Sequence, residues 1–104
     1  MSIVVELSMF PIGKEESVSI YVSRIIKMID ASGIQYKLNP MGTVFETETM
    51  SESLGIIEKA YRQLEDDCSR VYCTVKFDIR KGDKSRLSRK IKSLEEKLGK
   101  KIST

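Results

Sequence analysis

The chain has 104 residues, 40% of them hydrophobic, with 18 Lys+Arg against 15 Asp+Glu and a formal net charge of +3. That length suits one domain over residues 1–104 and leaves no room for a second core. There is no His, which excludes imidazole acid/base catalysis, His-based triads and His-ligated metals.

Cys68 and Cys73 are too few for a disulfide scaffold and are not spaced as a Cys-x-x-Cys pair, so no metal site or redox centre is expected. These absences point to a protein that is not an enzyme and carries no resident cofactor. The apolar runs fall far short of the roughly 20 residues of a spanning helix. The N-terminus lacks the pattern of a secretory signal. A cytoplasmic protein with no membrane contact is the expectation.

Ile3, Val5, Leu7 and Met9 alternate with Val4, Glu6, Ser8 and Phe10, a period of two that predicts a strand over 2–10. Pro11-Ile12-Gly13 ends it. Over 17–32 the period becomes helical, with Val18, Val22, Ile25, Ile26 and Ile29 on one face, Ser17 as N-cap and Gly33 as C-terminal stop. Residues 34–38 alternate as a short strand, Asn39-Pro40-Met41-Gly42 has turn composition, and 43–49 reads as a third strand.

Thr49 and Glu52 fit a capping box, followed by Leu54, Ile57, Tyr61 and Leu64 as the apolar stripe of a helix reaching about Asp67. Val71, Cys73, Val75, Phe77 and Ile79 then alternate with Tyr72, Thr74, Lys76, Asp78 and Arg80, a fourth strand. Lys81-Gly82-Asp83 is a turn. Leu87, Ile91, Leu94 and Leu98 form a narrow stripe on a third helix that Gly99 stops.

The order β-α-β-β-α-β plus a helix predicts an α+β, ferredoxin-like sandwich, its antiparallel sheet in strand order 4-1-3-2. The two crossover helices should bury Ile3, Val5, Leu7, Val71, Cys73, Val75 and Phe77. The opposite, open face carries Val4, Glu6, Ser8, Phe10, Val44, Glu46, Tyr72 and Lys76, and no remaining part of the chain is expected to cover it. Burial of several such apolar side chains, at roughly 1.5–3 kcal/mol each, favours an obligate homodimer through this face. The third helix would extend the contact or join two dimers into a homotetramer.

On that face Glu6 is expected between Glu46 and Lys76. Lys76 pairs with Glu6 across strands, while Glu46 has no obvious local cation. Its carboxylate either accepts from a ligand such as an aminopyrimidine or pairs with a cation across a subunit interface. Ser17 and Ser19 open the first helix as a cap or a ligand contact. Met9, Met28, Met41 and Met50 are core filler or the lining of an adaptable pocket. Cys73 belongs to the apolar strand set and Cys68 is expected to be exposed. Residues 80–101 hold ten Lys/Arg against three Asp/Glu. The segment lacks aromatic residues for base stacking, however, and a solvated helix face explains it better than nucleic-acid binding.

Phe10-Pro11-Ile12-Gly13, Ser17-Val18-Ser19-Ile20-Tyr21-Val22, Pro40-Met41-Gly42-Thr43-Val44-Phe45-Glu46 and Asp78-Ile79-Arg80-Lys81-Gly82-Asp83-Lys84 resemble, in order and spacing, signature segments of the small thiamine-binding protein family. The resemblance covers nearly the whole chain. It implies a ferredoxin-like fold, sheet-to-sheet dimers, commonly tetramers, and non-catalytic binding of thiamine or a related pyrimidine or thiazole compound. Ser19, Thr43 and Glu46 match as ligand-site candidates. Glu6, Met41 and Arg80 match as site or interface candidates. Lys14-Glu15-Glu16 is more charged than the family pattern. The alternative is an oligomeric regulatory or scaffold module without a small-molecule ligand.

Overall fold

The computed structural model describes residues 1–82 and 86–102. The first alternating run forms β1 (Ser2–Pro11), which ends at Pro11, a residue with no N–H for a ladder. Strands β2 (Gln35–Asn39) and β3 (Gly42–Thr47) form a hairpin, and Val71–Arg80 forms the long strand β4. All four pair antiparallel in the order β2-β3-β1-β4. With helices α1 (Val18–Ser32) and α2 (Met50–Glu65) as the crossovers and α3 (Arg86–Leu98) appended, the fold is ferredoxin-like, as the element order predicts. Asp83, the last residue of the turn expected after β4, and Lys84 lie outside the described residues.

Local chemistry sets the boundaries. Ser17 caps α1 by accepting from the Ser19 N–H, and Gly33 closes it in the left-handed region at φ 81°. Thr49 caps α2 as expected, but the Glu52 carboxylate meets the Thr49 hydroxyl, so only one half of the expected capping box forms. The Glu52 N–H donates to the Thr49 hydroxyl at 3.1 Å, and that hydroxyl donates to the Glu52 carboxylate at 3.0 Å. In the β2–β3 turn, the Asn39 side chain accepts from the Met41 N–H at 2.8 Å. Gly42 must be small for a different reason: a Cβ there would stand 2.8 Å from the Leu7 carbonyl oxygen.

The core lies between α1, α2 and the sheet face that carries Ile3, Val5, Leu7, Met9 and Phe45. Helix α1 contributes Tyr21, Ile25 and Ile29, whereas Val18 stays exposed. Helix α2 is rotated from the expected stripe. It buries Ser53, Ile56, Ala60 and Leu64, leaving Leu54 52% and Tyr61 41% exposed. Small residues at 53 and 60 let the helix come close to the sheet, and the Ser53 hydroxyl bonds the Thr47 hydroxyl at 2.5 Å within the core. That pair satisfies two hydroxyls that would otherwise be buried at a cost.

Other expectations need correction. The thiols are reversed: Cys68 is buried and Cys73 exposed. Cys68 extends the end of α2, its N–H donating to the Leu64 carbonyl at 3.0 Å, whereas Cys73 lies on the edge strand. The helices pack chiefly over β1 and β3, so Phe77 remains 38% and Ile79 51% exposed although both face the helix side. The face opposite α1 and α2 is not left bare by the chain, because α3 returns across it toward β1, β2 and β3. Glu6 does stand opposite Lys76 and comes within 3.8 Å of it. Its other neighbour is Val44, while Glu46 stands opposite Val4.

Candidate functional site

Concave regions lie on both sides of the sheet. The first opens where the C-terminal half of β1, the first turns of α1 and the β2–β3 turn converge. It has a volume of about 350 Å³. Leu7 and Met9 from β1 and Val22 and Ile26 from α1 supply apolar walls, with Met41 and Thr43 beside the turn. Thr43 is buried, while Met41 is 83% exposed. None of the described lining residues is charged, and the polar residues among them are Ser8, Asn39 and Thr43. A mostly apolar cleft with a few polar groups is the common form of a small-molecule site.

Two of the sequence candidates, Met41 and Thr43, therefore meet in this cleft. Ser19 lies in the exposed first turn of α1, its hydroxyl 2.9 Å from that of Ser17, next to the cleft-lining Val18. Val22 and Ile26 are functional candidates that the sequence presented only as part of a helix stripe. Their partly covered state, flanking the buried row Tyr21, Ile25 and Ile29, is what leaves them to line the cleft.

Glu46 lies on the opposite face. Thr43 stands across from Leu7 and Glu46 across from Val4, and alternate residues of a strand point to opposite sides. Its carboxylate accepts from the Ser2 hydroxyl at 2.6 Å and from the backbone N–H groups of Arg86 at 3.1 Å and Leu87 at 3.3 Å. An anion at the start of a helix meets free N–H groups and the positive end of the dipole. Burial works against the charged form of Glu46. The bonds from Ser2, Arg86 and Leu87 and the Arg86 charge outweigh it, holding the carboxyl below its usual range.

Arg86 completes the anchor. Its guanidinium donates to the Ser2 hydroxyl at 2.9 Å, to the Asp78 carboxylate at 2.8 Å, and to the Ser2 and Asp78 carbonyls at 2.9 and 2.5 Å. Neither Ser2 nor Arg86 stood out in the sequence, since their bond spans 84 positions. The second concave region, about 810 Å³, lies beside this anchor between α3 and the sheet. Val4, Val44, Leu87 and Ile91 contribute to it, with Arg80 and Lys97 bringing charge. Glu6 is nearer the exposed middle of the same face, paired with Lys76.

A third cluster holds α1 to the end of α2. The buried Tyr21 donates its hydroxyl to Glu16, and this bond, with burial, pushes its pKa up to about 12. The Arg24 guanidinium lies 4.9 Å from the Tyr21 ring centre and pairs with both Asp67 oxygens at 2.9 Å. Its groups are mutually engaged, which marks it as structural. Among the described residues no group of His, Cys, Asp or Glu is placed to hold a metal ion, and no helix is long and apolar enough to cross a membrane.

Comparison with known proteins bears on this geometry. A UPF0045 protein of Methanocaldococcus jannaschii is 34% identical over 94 residues, covering 90% of this chain and 93% of its own. Another from Mycobacterium bovis is 29% identical over 95 residues, covering 91% and 93%. The crystal structure of the M. jannaschii protein superposes with a TM-score of 0.78 over 91% of this chain and 97% of that one. A Thermotoga maritima protein provisionally assigned to thiamine biosynthesis or salvage shares the fold, with a TM-score of 0.77 at 20% identity over 90% and 99%. The family model described as thiamine-binding protein matches residues 5–95. That span takes in most of the sheet, the cleft, Glu46 and Arg86, and the chain belongs to the thiamine-binding protein family.

Proposed function

We propose that the protein binds thiamine or a related pyrimidine or thiazole compound without transforming it, and that the cleft beside Thr43 is the site. The observation that carries this reading is the uncharged cleft of about 350 Å³, into which Met41 and Thr43 converge. Its family membership supplies the ligand class, as does the role assigned to the T. maritima relative in fold. Met9, Met41 and the aliphatic wall suit a flat ring. Asn39 and Thr43 are the hydrogen-bonding side chains nearest the turn.

The absence of charge along this wall selects among ligand parts. A buried thiazolium would lack a counter-ion, and an unpaired buried charge is strongly unfavourable. The neutral aminopyrimidine therefore enters the cleft, with the thiazolium and any phosphate left toward solvent. Ser19, beside the mouth, is then a contact for the outer part of the ligand. Glu46 serves the α3 anchor rather than the ligand. Calorimetric titration tests this directly: hydroxymethylpyrimidine should bind comparably to thiamine, with thiamine diphosphate no tighter. Binding that requires the diphosphate, or no heat from any of them at millimolar ligand, rejects the reading.

The assembly proposed with it is a homodimer through the part of that sheet face that α3 leaves open, joined into a tetramer. Phe10 and Tyr72, with ring centres 5.9 Å apart, and the exposed Leu94 and Leu98 of α3 favour it. The second reading, a scaffold module without ligand, rests on those same exposed side chains and predicts association with no binding heat.

A further inference from the structure

We infer that the backbone of Met9 is the recognition edge of the cleft, its N–H and C=O pairing with the ring nitrogen and neighbouring amino group of a 4-aminopyrimidine. This role rests on the reading of the Thr43 cleft as the ligand site. β1 keeps β4 beside it along its whole length, from Ser2–Arg80 to Pro11–Val71, but its pairing with β3 stops at Leu7–Thr43. Successive residues of a strand send their backbone groups to opposite neighbours. Just past β1 the Ile12 N–H donates to the Arg70 carbonyl at 2.9 Å in the same register, so the even-numbered residues of β1 bond β4. The Leu7 carbonyl oxygen lies where a Cβ on Gly42 would meet it at 2.8 Å, so the odd-numbered residues face β3. Met9 is the next odd residue, and the β3 ladder has ended before it reaches that position.

Met41 would supply the next rung, but its N–H goes to the Asn39 side chain at 2.8 Å. Among the described residues no backbone bond outside the helices and strands reaches Met9. Pro11, the following odd position, has no N–H to leave bare. Met9 is nonetheless only 7% exposed, and it lines the cleft together with Val22 and Ile26 of α1. A buried N–H and C=O without partners are costly and call for them. The two groups lie side by side in the plane of the sheet. A ring nitrogen accepting from the N–H and an amino group donating to the C=O would add one rung to the ladder. A peptide strand needs a longer run of free groups than this one residue and the Pro11 carbonyl provide. A thiazole ring offers an acceptor but no donor. A 4-oxopyrimidine offers both in reversed order, so it must turn over. That swings the substituent next to its oxo group from the open side near Pro11 toward the end of β3 at Gly42. The edge therefore selects aminopyrimidines over their oxo counterparts.

Amide exchange of the full native chain, followed residue by residue by NMR, tests this together with calorimetry of three ligands. In the ligand-free chain the Met9 N–H should exchange at least about ten-fold faster than the Ser8 N–H, which is bonded to β4. Saturating hydroxymethylpyrimidine, which carries the 4-amino group, should slow Met9 about ten-fold and leave Ser8 unchanged. Its 4-deamino and 4-oxo analogues should each bind about ten-fold more weakly. A Met9 N–H already slow in the ligand-free chain overturns the inference, as does a deamino analogue that binds as tightly as the amino compound. Binding heat from hydroxymethylpyrimidine with Met9 exchange unchanged also overturns it, while leaving the protein a pyrimidine binder. No heat from any of the three rejects the ligand reading of the cleft and the Met9 edge together.

Discussion

The Glu46 carboxylate accepts from the backbone N–H of Arg86 at 3.1 Å, so an acid on the third strand closes the first turn of a helix forty positions later. This bond explains why α3 lies back across the sheet instead of trailing from β4. It also assigns Glu46 a task on the side of the sheet away from the Thr43 cleft.

Replacing Glu46 should therefore loosen α3 and spare the cleft. Glu46→Gln keeps the shape but removes the charge, and should cost about 1–2 kcal/mol of stability. The change should be read as a lower denaturation midpoint, with faster amide exchange along α3. The enthalpy of pyrimidine binding should stay as in the native chain.

Acid should reproduce that loosening. The Glu46 pKa lies below its ordinary 4.5 in the folded chain, so the unfolded state binds the proton more readily. The stabilisation is complete above about 4.5 and is lost as the pH falls through the lowered folded value. A pH titration of α3 amide exchange should show protection constant at neutral pH and declining only on the acid side of 4.5. In Glu46→Gln that acid step should be absent.

The face of α2 gives a third test. Ile56→Ala removes buried methyl groups next to the core and should destabilise by about 2–4 kcal/mol. Leu54→Ala, on a side chain 52% exposed, should stay within about 0.5–1 kcal/mol of the native chain. Equal losses from the two in chemical denaturation would return α2 to the stripe that periodicity suggested.

The kinds and order of elements were legible because periods of two and 3.6 differ sharply along this chain, and the caps at Ser17, Gly33 and Thr49 sit where residue type suggested. The buried row of α2 was not, since Ser53 and Ala60 carry little apolar signal, and Ser53 is held inside by its bond to Thr47. Nor was the exposure of Cys73 and Phe77. Alternation assigns a side of the sheet, but an edge position weakens the cover that side receives. The separation of Thr43 from Glu46 was available, because the two have opposite parity on β3. What held Glu46 was not, since Ser2 and Arg86 reach it only through the tertiary fold.

At the turn, Gly42→Ala should both destabilise the chain and reshape the cleft, as the added carbon would meet the Leu7 carbonyl at 2.8 Å. A lower melting temperature together with weaker pyrimidine binding is expected. Melting alone would show that the hairpin can move without disturbing the cleft.

The cleft itself is tested most directly by calorimetric titration of hydroxymethylpyrimidine into the native chain, Glu46→Gln and Ile26→Trp. Ile26 lines the cleft, and an indole there would fill it. Saturable heat should be present in the first two proteins and absent in the third, with circular dichroism showing that all three are folded. Heat that survives Ile26→Trp and disappears in Glu46→Gln would move the ligand to the other side of the sheet and contradict the assignment.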